Sequence, residues 1–99
     1  MNEARQASAP LCIASDHPTL PGHFPGWPVV PGVVLLDAIA ALAESSGLGA
    51  LRRISTLKFL APALPMQALD MSIECVGSRA RFQIRRDGEA ILRGEGEFA

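Results

Sequence analysis

The chain has 99 residues, 48% of them hydrophobic and 19% charged, which describes one small globular domain over residues 1–99 rather than a disordered segment. A formal net charge of −1 gives no reason to bind nucleic acid or an anionic membrane. The start, Met1-Asn2-Glu3-Ala4-Arg5, has no apolar signal region, and the longest apolar run, Val33 to Ala43, is too short for a bilayer and holds Asp37, so a cytoplasmic location is expected.

In chain order, Ala9 to Ala14 is a short apolar stretch that reads as a first strand. Asp16 to Gly32 follows, and holds Pro18, Pro21, Pro25, Pro28 and Pro31 together with Gly22, Gly26 and Gly32. Proline fixes φ and lacks an amide donor, so this spacing fits neither a helix nor a central strand. The segment reads as a long, stiff loop, and such loops are usually functional. From Gly32 the chain turns apolar on every side, with Pro31 at the entrance and Gly47 at the exit. This predicts one central buried helix over about residues 32–46, wrapped by other structure.

The second half reads as strands over Leu51 to Leu60, Leu69 to Val76, Arg79 to Arg86 and Ala90 to Phe98. Period-two alternation turns Ala80, Phe82 and Ile84 inward. Asp87-Gly88 marks a hairpin. A three-residue loop pairs Ile84 with Leu92, Arg81 with Glu95 and Arg79 with Glu97, and keeps the apolar set on one face. The arginines then form a solvated sheet face with cross-strand ion pairs, the alternative being a docking patch for an acidic partner. The class is α+β, an antiparallel sheet of about five strands around one helix, and a lone sheet of this size favours pairing with a second copy.

Few residues can carry chemistry. Cys12 and Cys75 are expected to be buried free thiols rather than a single disulfide or a reactive thiol. Two histidines, with no CxxC or HExxH, leave no protein-built metal site. His17 reads as structural. His23 sits between residues that fix its backbone, as a general base requires. Asp37 is the sole polar residue between Val29 and Ala43. It is either a structural cap or ion-pair partner, or a carboxyl poised to hold or donate a proton. The amides of Gly32 and Val33 open the helix, where its positive end can receive a developing oxyanion. This set suits proton removal beside a carbonyl. Nucleophilic hydrolysis is disfavoured, since the segment has no Ser or Cys.

The run His23-Phe24-Pro25-Gly26-Trp27-Pro28-Val29-Val30-Pro31-Gly32, followed after four residues by Asp37, resembles the signature of the 3-hydroxyacyl-[acyl-carrier-protein] dehydratases, which have the hotdog fold. Weaker agreement continues through Lys58 to Pro65 and the Asp87-Gly88 hairpin. The resemblance implies that His23 and Asp37 are catalytic, that Gly32 polarises the thioester carbonyl, and that the Val29 carbonyl orients the histidine. It implies reversible dehydration of a 3-hydroxyacyl thioester to the trans-2-enoyl thioester, without a cofactor. The acyl group would be carried by acyl-carrier protein or CoA, and the sites would be shared across a homodimer. Asp in place of Glu resembles a branch that can also isomerise the double bond, and short relatives in pigment and aryl-polyene pathways. Ala41 stands where the family often has Gln to steady the acid. A catalytically weak subunit that binds acyl chains or pairs with an active homologue is the alternative. A hotdog thioesterase is a further one, against which the His-Phe-Pro-Gly loop speaks.

Overall fold

A computed structural model describes residues 4–14 and 29–99. They form β1 (Ala4–Leu11), α1 (Gly32–Ser45), β2 (Leu51–Phe59), β3 (Leu69–Val76), β4 (Arg79–Arg86) and β5 (Glu89–Phe98). All pairings are antiparallel, in the order β1-β3-β4-β5-β2, so β1 and β2 are the edges. This is the hotdog arrangement, with α1 packed on β1, β2 and β3. His17, His23 and the rest of the Pro/Gly segment through Pro28 lie outside the described residues.

The helix begins and stops for identifiable reasons. Pro31 stands at the N-cap with φ −61° and ψ 143°, extended backbone that feeds directly into Gly32. At the other end Gly47 adopts φ +75°, and its N–H donates to the Glu44 carbonyl at 3.2 Å. The Leu48 N–H donates to the Ala43 carbonyl at 2.9 Å, and the Leu48 side chain turns into the core. Paired bonds of this kind satisfy carbonyls that a helix C-terminus leaves free.

The core lies between helix and sheet. Ile39 and Ala43 of α1 meet a layer that includes Leu69, Ile73, Phe82, Ile84 and Leu92, all buried. Each such large side chain contributes about 1.5–3 kcal/mol relative to exposure. Ala80, Phe82 and Ile84 face inward as their alternation requires.

The β4–β5 hairpin has a different connection from the one expected. Asp87 (φ +53°) and Gly88 (φ +82°) form a two-residue turn, with Arg86 opposite Glu89 and Arg85 opposite Ala90. Two positive φ values match the twist of a tight hairpin. The register then shifts, so that Ile84 faces Leu92 and Ile91 is the extra residue of a β-bulge. Beyond it Arg81 faces Glu95 and Arg79 faces Glu97, the expected register reached by another route. Ile91 and Leu92 are both buried, which a strictly alternating strand could not achieve. The Arg81 Nε to Glu95 Oε1 distance is 3.2 Å, an exposed ion pair on the solvated face.

Three other expectations change. The first strand is Ala4–Leu11, not Ala9 to Ala14. It is an edge strand whose Ala7, Ala9 and Leu11 alternate towards the core, and its edge position tolerates Pro10. Of the cysteines, Cys75 is buried but Cys12 is exposed, and both are free. Burial pushes the Cys75 thiol above its usual range, with the Arg5 guanidinium pulling partly back. Finally, α1 is not covered all round, since Val33, Asp37 and Ala41 are exposed.

Met66 carries backbone strain. Its φ is +67°, in the left-handed region that disfavours a side chain, and its side chain is 65% exposed. Met66→Gly should relieve the strain with little burial lost. The gain expected is about 0.5–1 kcal/mol after the extra freedom of glycine in the unfolded chain. Thermal denaturation should show a Tm rise of about 3–6 °C. A fall would mean that the Met66 side chain makes stabilising contacts.

Candidate active site at the start of the helix

The first turn of α1 is open. Pro31 has no side chain to cap it, and no acidic residue lies in that turn. The Val34 N–H donates to the Pro31 carbonyl at 3.0 Å, while the Gly32 and Val33 N–H groups have no acceptor among the described residues. These two donors, at the positive end of the helix, are the natural place for a carbonyl oxygen that gains negative charge.

Beside them runs an apolar groove of about 480 Å³, lined by Val29, Val30, Pro31, Gly32 and Leu35 on one side and Phe59, Leu60, Ala61, Pro62 and Ala63 on the other. A larger hollow, about 700 Å³, crosses the outer face of the sheet and is lined by Ser8, Ser72, Glu74, Arg81, Gln83, Arg93 and Glu95. Its charges are mixed and partly paired, and it lies on the face away from α1. The helix start is the better candidate because donors and apolar walls meet there.

Of the residues singled out in the sequence, Val29 and Gly32 line this groove, and the side chain of Val33 does not. Asp37 does not join them. Five residues on from Gly32, it lies about 140° around the helix. There it forms one exposed stripe with Val33, which is 61% exposed, and Ala41. Within a single chain the carboxyl therefore looks away from the groove. Among the described residues no group of His, Cys, Asp and Glu side chains could hold a metal ion.

Two features were not anticipated. The first is Phe59, the last residue of β2, whose ring rests against Gly32. A Cβ at Gly32 would lie 2.5 and 2.7 Å from the Phe59 Cζ and Cε1 atoms. The second is a brace behind the groove. One Arg86 nitrogen, Nη1, donates to the Pro62 carbonyl at 2.8 Å and to Gln67 Oε1 at 2.9 Å, and Gln67 Oε1 also accepts from the Leu64 N–H at 2.9 Å. The braced segment holds both flanks of the Pro/Gly stretch. The Met66 N–H donates to the Ile13 carbonyl and the Val30 N–H to the Ala63 carbonyl, each at 2.8 Å. Only the Pro62 and Pro65 pair hinted in the sequence that this segment was fixed.

Residues 1–95 match the family model of the ApeI dehydratases. The chain belongs to the ApeI-like dehydratase family. Among curated proteins it is similar to the 3-hydroxyacyl-[acyl-carrier-protein] dehydratase FabZ of Ruminiclostridium cellulolyticum, 29% identical over 88% of this chain and 71% of that protein. The FabZ of Anaeromyxobacter sp. is 32% identical over 84% of this chain, which spans 60% of it. Two solved structures share the fold over the whole chain. One is an uncharacterised protein from Erwinia carotovora subsp. atroseptica, with TM-score 0.84 and 24% identity over 86% of its length. The other is the dehydratase heterocomplex ApeI:P from Xenorhabdus doucetiae, with TM-score 0.81 and 20% identity over 96% of its length. No described helix is long and apolar enough to cross a membrane.

Proposed function

We propose that the chain catalyses reversible dehydration of a 3-hydroxyacyl thioester in fatty-acid-like or polyene and pigment biosynthesis, without a cofactor. The observation that carries this is the pair of amide donors at Gly32 and Val33, without an acceptor among the described residues and beside an apolar groove, in a dehydratase-family chain. The thioester carbonyl accepts from these amides, which stabilises the enolate form and acidifies C2. His23 takes the C2 proton, its ring oriented by the Val29 carbonyl. The electron pair of the C2–H bond becomes the C2=C3 bond as the C3–O bond breaks, and Asp37 protonates or positions the departing hydroxyl, which leaves as water.

The exposure of Asp37 supports a working unit of two chains. Its carboxyl looks away from its own groove, so it would serve the groove of a second copy. The edge strand β2 is exposed along most of its length, including the apolar Ile54 and Phe59, and offers backbone donors and acceptors for such a pairing. Arg52 and Arg53, exposed at the start of β2, offer contacts to an acidic carrier protein, with CoA as the other possible carrier. We place the reaction in the cytoplasm, where two free cysteines stay reduced.

Hydration of a trans-2-enoyl thioester, followed as loss of conjugated-enoyl absorbance, tests the reading. Turnover by the chain alone is the expected result. Inactivity on every acyl length, alone and mixed with a family partner such as the Xenorhabdus heterocomplex suggests, would sink it.

A further inference from the structure

We propose that Gln67, held by Arg86, is a positioning residue for His23, its side chain fixing the direction of the Val29 carbonyl through two successive peptide planes. The inference rests on the dehydratase reading, in which that carbonyl orients the catalytic histidine.

A trans peptide unit is rigid and planar, and its N–H and C=O point in opposite directions. The Leu64 N–H and the Ala63 carbonyl are the two poles of one such unit. Gln67 Oε1 accepts from the first at 2.9 Å, and the second accepts from the Val30 N–H at 2.8 Å. The Val30 N–H is in turn one pole of a second unit, whose other pole is the Val29 carbonyl. Among the described residues no backbone N–H donates to that carbonyl, so the hold on its unit comes from the N–H side. Turning the Gln67 amide away frees the first plane, and with it the plane that presents the Val29 carbonyl.

The relay has little slack. Val30 and Ala63 are both buried, where no water replaces a broken hydrogen bond. Pro62 and Pro65 fix φ, and Pro65 keeps Leu64 before it extended. Pro65 and Met66, the latter at φ +67°, form the turn that carries Gln67 back against Leu64. Arg86 Nη1 donates to Gln67 Oε1 at 2.9 Å and to the Pro62 carbonyl at 2.8 Å, so the amide cannot rotate without abandoning a charged donor. A displacement at Gln67 is therefore passed on rather than absorbed. Gln67 itself lines no part of the groove, so its influence on a bound acyl group is indirect.

The test compares wild type with Gln67→Leu, which removes the acceptor, and Gln67→Glu, which keeps it. One readout is kcat and KM for hydration of crotonyl pantetheine. The other is the ring-nitrogen NMR spectrum of His23, assigned by its loss in His23→Ala. A carbonyl partner decides which ring nitrogen keeps the proton, so the neutral ring of wild type should hold a single tautomer. Gln67→Leu should lower kcat by about tenfold or more with a smaller change in KM, and should leave a mixture of tautomers. Gln67→Glu should stay within about twofold of wild type in kcat and keep the single tautomer. A single tautomer that survives in Gln67→Leu overturns the role of Gln67 even where kcat falls, since that fall is then a general loosening. If wild type turns over the thioester but its ring holds no fixed tautomer, the proposal is overturned and the dehydratase reading stands. If wild type turns over no enoyl thioester, the dehydratase reading fails, and the spectrum still decides whether Gln67 fixes the ring. Should Gln67→Leu fail to fold, Arg86→Met, which leaves the amide unheld, takes its place with the same expected directions.

Discussion

His23→Ala and Asp37→Asn are each expected to lower turnover of a trans-2-enoyl thioester by about a hundredfold or more, the usual contribution of a positioned acid or base. Mixing the two inactive proteins under conditions of subunit exchange should restore about a quarter of wild-type activity. Half the pairs formed at random are then mixed, and each mixed pair keeps one intact site of two. Asp37 is exposed on a stripe with Val33 and Ala41 and faces away from the groove of its own chain. A residue there can lose its charge without disturbing the core, so thermal unfolding of Asp37→Asn should stay close to wild type. Restoration needs the histidine and the acid to come from different chains. If each single variant is inactive and the mixture stays inactive despite demonstrated exchange, the shared site is wrong. If Asp37→Asn keeps most of its activity, Asp37 is not the acid.

Gly32→Ala should lower kcat/KM by about a hundredfold while changing stability by no more than about 1 kcal/mol. Three effects compete. Alanine favours the helix by up to about 1 kcal/mol over glycine. Against this, its methyl meets the Phe59 ring at 2.5 Å, and overpacking costs about 1–3 kcal/mol where neighbours cannot move. Here the neighbour is the tip of a half-exposed side chain, so the ring swings aside and the two terms nearly cancel. The third effect is not relieved by that swing, because the methyl stands where a carbonyl must approach the amide. Combining Gly32→Ala with Phe59→Ala separates the causes. Activity that stays low in the double variant assigns the loss to carbonyl approach. Recovery to the level of Phe59→Ala would assign it to the displaced ring, and would remove Gly32 from the oxyanion site.

Much of the fold was legible because local signals agreed with tertiary demand. The helix is bracketed by Pro31 and Gly47, and two strands, β3 and β4, carry clean alternation. The β4–β5 register followed from keeping Ile84 opposite Leu92, although the route to it, a tight turn plus a bulge at Ile91, did not. That route depends on where β2 needs an acceptor, since the Leu60 N–H donates to the Ile91 carbonyl at 2.8 Å. The first strand was misplaced because an edge strand buries only alternate small residues, so its apolar content is diluted by Arg5, Gln6 and Ser8. At the site, Gly32 was recognisable from the helix start, but its neighbour Phe59 was not. The two are 27 positions apart, and nothing local announces that the ring of one fills the space left by the other. Asp37 read as buried because every neighbour in sequence is apolar. One chain covers part of the helix and leaves that stripe to solvent.

The bonds from Met66 to Ile13 and from Ala63 to Val30 have a practical consequence. They bring both flanks of residues 14–29 to one short segment, and that segment is braced from behind by Arg86 and Gln67. Two parts of the chain anchored on one fixed element are not independent of each other. A substitution that frees Arg86 or Gln67 therefore loosens Ile13 and Val30 together, and reaches the entrance of the helix from the far side of the groove.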